Sequence, residues 1–307
     1  MTNTPKRKWT TIILTLVILA IVSYITAGVL SLILAPDYSA YGNVALIKVE
    51  GMIVGGGIKP ALSQSITSSD DVIHFIKSAD NNPSVKAIVL EINSGGGTAV
   101  GSKEIADAVK RTNKTTLAVI REIGTSGAYW VASATDEIIA NDLSMTGSIG
   151  VISSYLEFSG FFDKYGVKYN RLVAGKYKDI GSPFKDMTTE EELLLQRQLD
   201  KIHQYFITQV AENRGLDPGH VSNISTGMFY LGIDAKEYGL VDHLGDLDTA
   251  KEIIQERLNL TEVLFSEYKK APTFLDVLSR VFSEQSFHVG QGIGDSFVSG
   301  ASSGIMT

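Results

Sequence analysis

Ser126 stands in Gly124-Thr125-Ser126-Gly127-Ala128-Tyr129-Trp130, a run of small residues between a strand-like segment, residues 115–121, and a helix-like one, residues 127–134. A turn of that kind presents a hydroxyl as a nucleophile, and the first N–H groups of the helix face an oxyanion that forms beside it. Two further segments fit acyl-transfer chemistry. Ser94-Gly95-Gly96-Gly97 follows the apolar run 85–92, and its glycines let backbone N–H groups approach a reacting carbonyl closely. Tyr177-Lys178 supplies an amine that can take a proton from a hydroxyl. Together they predict a serine hydrolase whose base is lysine.

Rival readings attach to each segment. Gly95, Gly97 and Gly101 have the spacing G-x-G-x-x-x-G between a strand and a helix, and Glu122 ends the next strand-like run, as a dinucleotide site asks. Against it, the turn follows the second strand-like run and not the first, and no tyrosine has a lysine four positions later. The same glycines could also simply let the chain turn. For the base, histidine is the first suspect. His74 lies in the apolar-patterned Val72-Ile73-His74-Phe75-Ile76, His203 in a long helical segment, His220 after Pro218-Gly219, and His288 near the end; each reads as structural or solvated. His243, beside Asp242, suits a structural corner entering the last helix. A lone lysine is usually a solvated surface charge, so spacing alone does not single out Lys178.

Composition narrows the classes. The 307 residues suffice for one large or two modest domains, with a formal net charge of −7 and no long basic run outside the N-terminus, so nucleic acid is not an expected partner. Cysteine is absent, which excludes disulfides, thiolate metal sites and a cysteine nucleophile; the five histidines show no metal-ligand spacing, and no metal or cofactor is expected. Residues 12–35 carry no charge and as a helix span roughly 36 Å, enough for the ~30 Å hydrocarbon core of a bilayer. Lys6, Arg7 and Lys8 precede this stretch and Asp37 follows, which keeps the N-terminus cytoplasmic and puts the remainder across the cell membrane. A cleaved signal peptide is the alternative; the stretch exceeds the usual apolar region of ~7–15 residues, and Ala35 precedes Pro36, so a retained single-pass anchor is expected.

The elements that must position these residues alternate in type. Strand-like runs at 44–54, 85–92, 115–121 and 137–140 interleave with helix-like segments at 71–78, 103–111 and 127–134, the pattern of βαβ units and a largely parallel sheet. The longest helix starts at Thr188 with Glu191 three positions on, a capping box, and carries Leu195, Leu199, Ile202, Phe206 and Val210 on one face until Gly215. A last helix covers 247–258. The expected organisation is a cytoplasmic segment 1–11, a transmembrane helix 12–35, a linker 36–43, a hydrolase domain 44–272 and a Gly- and Ser-rich tail 273–307.

With these motifs assembled, the chain resembles the short-form signal peptide peptidase A family over essentially its whole length. The resemblance rests on the anchor, Ser94-Gly95-Gly96-Gly97, Thr125-Ser126-Gly127-Ala128-Tyr129, Thr146-Gly147-Ser148-Ile149-Gly150, Tyr177-Lys178, and Ala235-Lys236-Glu237-Tyr238-Gly239-Leu240-Val241-Asp242. It implies an α/β fold of the Clp-protease/crotonase-like kind, Ser126 as nucleophile, Lys178 as general base and Ser148 as the hydroxyl that orients the amine. The oxyanion would meet the N–H groups of Gly127 and Gly97, or Gly96 in its place. It further implies a homo-oligomeric ring with serine and lysine from adjacent domains, peptide substrates, and membrane lipid as surroundings. The physiological role implied is degradation of signal peptides left in the membrane. Two departures stand out: the usual Ser-Pro-Gly-Gly reads Ser94-Gly95-Gly96-Gly97, and Met228 replaces an arginine. Related alternatives are a membrane serine protease acting on stomatin-type proteins and a crotonase-like acyl-CoA enzyme, whose fold also builds backbone oxyanion holes.

Overall fold

The computed structural model describes residues 6–34, 42–56 and 66–270. The chain forms two units, one holding the N-terminal helix α1 (Lys6–Leu34) and the other residues 38–269. Within α1, Thr11–Gly28 is long and apolar enough to cross a membrane by length and composition. The expected linker lies outside the described residues except for 42 and 43, and the expected tail lies wholly outside them.

In the second unit β1 (Val44–Val54) and β2 (Ile66–Ser68) precede α2 (Ser69–Asn81); β3 (Ala87–Gly97), α3 (Ala99–Arg111), β4 (Thr115–Thr125), α4 (Gly127–Ser133) and β5 (Glu137–Ala140) follow. Then come β6 (Met145–Gly147), α5 (Ser159–Lys164), α6 (Thr189–Arg214), α7 (Pro218–Ile224), β7 (Phe229–Leu231), α8 (Gly232–Glu237), β8 (His243–Leu244), α9 (Leu247–Arg257) and β9 (Phe265–Tyr268). Among the described residues the sheet runs β2-β1-β3-β4-β5-β8, with β9 also on β1. Every pairing is parallel except β6 with β7. The α/β, largely parallel architecture expected from the alternating segments is the one found, and it is of the Clp-protease-like kind.

The central strands read as near-continuous apolar runs because both of their faces are covered. Alternate residues part to the two faces: Ala45, Ile47, Ile88, Leu90, Ile92, Ala118 and Ile120 pack under α2, α3, α4 and α6. The other set, Val44, Ala87, Val89, Leu117, Val119 and Ile139, packs on Ala250 and Ile254 of α9. Strand β4 is longer than its partner β5. Its lower part, Leu117–Ile120, pairs with β5, and its upper part, Ile123–Thr125, pairs with β6. That split lets β4 reach above the sheet before it turns into α4.

Candidate active site

Ser126 sits at the corner between β4 and α4 with φ 53° and ψ −126°. A non-glycine residue in that region is strained by ~1–3 kcal/mol and persists only where its surroundings over-determine it. Here they do. The Ser126 N–H donates to the Gly147 carbonyl at 2.8 Å, and the Ser126 carbonyl accepts from the Trp130 N–H at 3.0 Å. Helix α4 is buried along its whole length. The Tyr129 hydroxyl donates to the Leu240 carbonyl at 2.9 Å, and the Trp130 ring stacks on Phe206 of α6 at 4.6 Å between centroids.

The glycine end of β3 lies directly beside this corner. Gly96 has φ 101°, and a Cβ on it would meet Gly127 N at 2.8 Å and Ser126 Cβ at 2.9 Å. A Cβ on Gly97 would fall 1.9 Å from the Ile53 carbonyl oxygen, and one on Gly101 would fall 2.8 Å from the Val54 carbonyl carbon. These glycines therefore let β3 and α3 press on the backbone of β1. Gly97 and Gly127 are also neighbours, since a Cβ on Gly127 would come 3.2 Å from Gly97 N. The Gly96 N–H donates to Ser94 Oγ at 3.1 Å.

Ser148 faces the same cleft from the end of β6. It too is left-handed, φ 50°, directly after Gly147 at φ 73°. Its hydroxyl donates to the Gly227 carbonyl at 2.8 Å, its N–H to the Met228 carbonyl at 3.1 Å, and the Gly227 N–H returns to the Ile149 carbonyl at 3.1 Å. The turn where Met228 replaces an arginine thus holds Ser148 through backbone groups alone, while the Met228 side chain is exposed. The cleft has a volume of about 740 Å³ and is lined by Ser126, Gly127, Gly97, Ser148, the apolar side chains of Trp130, Ile152, Leu199, Ile202 and Phe206, and His203.

The structure thus brings Ser126, Ser148, Gly96, Gly97 and Gly127 together, and it does not bring Lys178 to them. Lys178 is exposed, in the segment between β6 and α6 whose only helix is the short α5, and it is not among the residues lining the cleft. Its neighbours are paired with one another: Lys176 with Glu190 at 2.6 Å, the Tyr177 hydroxyl with Glu190, and Arg171 with Asp179 at 2.5 Å. The Glu190 carboxylate holds Lys176 above its ordinary range, and Arg171 pushes Asp179 down to about 2. The segment also leaves Ile152 90% and Leu172 99% exposed, with Leu156, Phe161 and Tyr165 beside them in sequence.

Residues 108–261 match Peptidase family S49. A protein of Methanocaldococcus jannaschii named as a protease is 33% identical over 242 residues, 78% of this chain and 75% of its own. The chain belongs to peptidase family S49. A protein of Enterococcus faecium that carries the name signal peptide peptidase SppA is 30% identical over 234 residues, 75% of this chain and 68% of its own. Protease 4 of Salmonella typhi is 30% identical over 240 residues, 77% of this chain but 38% of its own length. The family resemblance read from the motifs is borne out, and the chain is a protease with peptide substrates.

His203 is the cleft residue whose place the sequence reading missed. Its ring nitrogen Nε2 lies 3.3 Å from the Ile149 carbonyl, which can only accept, so Nε2 carries the proton. The signal was available, because His203 follows Leu199 by four residues and precedes Phe206 by three on the helix that lines the cleft. The other described histidines are peripheral: His220 Nε2 meets the Tyr238 carbonyl at 2.9 Å, His243 Nε2 meets Glu137 Oε2 at 2.9 Å, and His74 is exposed. His288 lies outside the described residues.

Proposed function

We propose that the chain is a membrane-anchored serine endopeptidase that cleaves signal peptides remaining in the membrane. The observation that carries this reading is the strained Ser126 corner, seated between the Gly96-Gly97 strand end and Gly127, with Ser148 across the cleft. The Ser126 hydroxyl attacks the scissile carbonyl as the lysine amine takes its proton, and the oxyanion meets the N–H groups of Gly97 and Gly127. The Gly96 amide is engaged by Ser94, which favours Gly97 as the second donor. Collapse of the intermediate breaks the C–N bond, and the ammonium returns its proton to the leaving amine. Water then repeats the sequence on the acyl-enzyme, with the amine as base.

A lysine serving as base must be neutral. At the ordinary pKa near 10.4, only about four in ten thousand are neutral at pH 7, so the site must disfavour the ammonium by roughly 4 kcal/mol. The cleft suits that demand, since among the described residues no carboxylate lines it and Trp130, Leu199, Ile202 and Phe206 give it an apolar wall. Ser148 is placed to orient the amine. Its own proton goes to the Gly227 carbonyl, so its oxygen is free to accept an amine N–H. We assign the lysine to Lys178 of a neighbouring protomer, because Lys178 stands away from the cleft of its own chain within an exposed apolar segment. Exposed patches of that kind mark interaction sites, and a head-to-tail contact that closes gives a ring. The nucleophile assignment is tested by labelling the full chain with a fluorophosphonate. Modification of Ser126 that is lost in Ser126→Ala, along with peptide hydrolysis, is expected; undiminished hydrolysis by Ser126→Ala would overturn the assignment.

A further inference from the structure

Two hydroxyls just beyond the ends of different strands must keep a fixed separation for a lysine to bridge them, and one helix touches the supports of both. Phe206 of α6 stacks on Trp130, in the first turn after Ser126, at 4.6 Å and 12° between ring planes. One turn earlier on the same face, His203 donates its Nε2 proton to the carbonyl of Ile149, the residue after Ser148. From these contacts we infer that His203 is a positioning residue for Ser148, and that α6 is the common reference against which the two hydroxyls are set.

The case rests on how Ser148 is held. Its left-handed backbone is unfavourable for a residue with a Cβ, so surrounding contacts must impose it. Three of those contacts, the Ser148 N–H to Met228, the Ser148 hydroxyl to Gly227, and the Gly227 N–H to Ile149, come from a single turn, residues 225–228. This ladder ties Ser148 to the turn, and β6, whose Gly147 pairs with Thr125 and accepts from the Ser126 N–H at 2.8 Å, ties its N-terminal side to β4. The His203 bond adds a contact on the C-terminal side of Ser148, from α6. The Ile149 carbonyl has two lone pairs, one for Gly227 and one for His203, and the Ile149 side chain is buried. Helix α6 is itself well fixed. The Thr188/Glu191 capping box closes its start, and Gly215, left-handed at φ 62°, closes its end. His203 is also the only histidine among the residues lining the cleft. Its donor role needs no change of charge, since Nε2 carries a proton in this tautomer and in the protonated ring alike.

The inference rests on the reading of Ser148 as the hydroxyl that orients the lysine, and the experiment separates the two. Turnover of an unstructured peptide is measured with the full chain for His203→Leu, His203→Gln, Ser148→Ala and the His203→Leu/Ser148→Ala double variant. Loss of one neutral hydrogen bond should lower kcat for His203→Leu about three- to tenfold with KM little changed. His203→Gln, whose amide can donate at the same place, should recover to within about twofold of wild type. In the Ser148→Ala background, His203→Leu should cost nothing further, because the group it positions is gone. Wild-type turnover in His203→Leu, or equal penalties with and without Ser148, would overturn the inference while leaving Ser148 in its role. Equal inactivation of His203→Leu and His203→Gln would also overturn it and would assign the ring a proton-transfer role. Undiminished turnover in Ser148→Ala would remove the reading of Ser148 and this inference with it. If His203→Leu does not fold, His203→Asn, too short to reach the carbonyl, takes its place in the same comparison.

Discussion

Gly127→Ala tests the oxyanion corner through a single buried contact. Gly127 is helical, so alanine adopts its backbone without strain, and the whole effect arises from the added methyl. That methyl would lie 2.2 Å from Ser102 Oγ, 3.1 Å from Ser102 Cβ and 3.2 Å from Gly97 N, where ordinary contact begins at 3.4 Å. The start of α4 must therefore retreat from α3 by roughly 1 Å, an overpacking that costs about 1–3 kcal/mol of stability. A misplacement of that size is worth about 100-fold in rate, and turning one donor away from the oxyanion carries a similar penalty. We expect kcat to fall by about 100-fold with KM changed far less. Ser102 offers the control, for its side chain is fully buried and its hydroxyl has no hydrogen-bond partner in the structure. Ser102→Ala alone should leave activity intact and raise stability by about 1 kcal/mol, because an unsatisfied buried hydroxyl is removed. In the double variant the 2.2 Å overlap is gone and only the 3.1 Å and 3.2 Å contacts remain, so at least about tenfold of the lost kcat should return. Peptide turnover and thermal unfolding of the four proteins decide the matter. Wild-type activity in Gly127→Ala, or no recovery on adding Ser102→Ala, would refute the reasoning.

Three other outcomes follow from named contacts. Lys185, 2.8 Å away, and the Thr188 N–H push the Glu191 carboxyl down to about 2 from its ordinary 4.5. Because the folded value is depressed, this stabilisation is complete above pH 4.5 and is lost as pH falls toward 2; acid titration of helicity should lose a component there in Glu191→Gln, and an unchanged titration would contradict the capping box. Arg214, whose side chain is only 6% exposed and lies 2.6 Å from Asp242, helps hold a carboxylate that also accepts from the Ile138 N–H at 2.7 Å, so Arg214→Leu should destabilise by about 2 kcal/mol in a denaturant melt. A lysine base predicts peptide hydrolysis that rises through the alkaline range and is absent in Lys178→Arg, whose guanidinium stays protonated; an ascending limb near pH 6 that survives in Lys178→Ala would contradict it.

Local rules carried much of the fold. The apolar runs at 44–54 and 137–140 are β1 and β5 to the residue, and the Thr188/Glu191 box and Gly215 bound α6 as expected. Strand β3 runs on through Ser94-Gly95-Gly96-Gly97, where a turn was expected, because the glycines let its end lie against the backbone of β1. What periodicity could not show were pairings that depend on distant chain. The short β6 gains its place from the overhang of β4 and from antiparallel β7, and β9 returns more than 200 residues later to pair with β1. The left-handed Ser148 is likewise a product of that pairing, since a serine has no local preference for such a conformation. The Ser126 corner was legible from small residues between a strand and a helix. The helix face that His203 shares with Leu199 and Phe206 was legible too, but its bond to a carbonyl 54 positions away was not.

The central claim is that serine and lysine meet between chains, and mixed oligomers test it most directly. Ser126→Ala and Lys178→Ala proteins, each inactive alone, are unfolded and refolded together in equal amounts, and mixing is verified by mass. If each site draws its serine from one protomer and its lysine from the next, random assembly leaves roughly one quarter of sites intact, and about that share of wild-type turnover should return. Mixed oligomers that remain inactive would contradict the account and place both residues of the dyad within one chain.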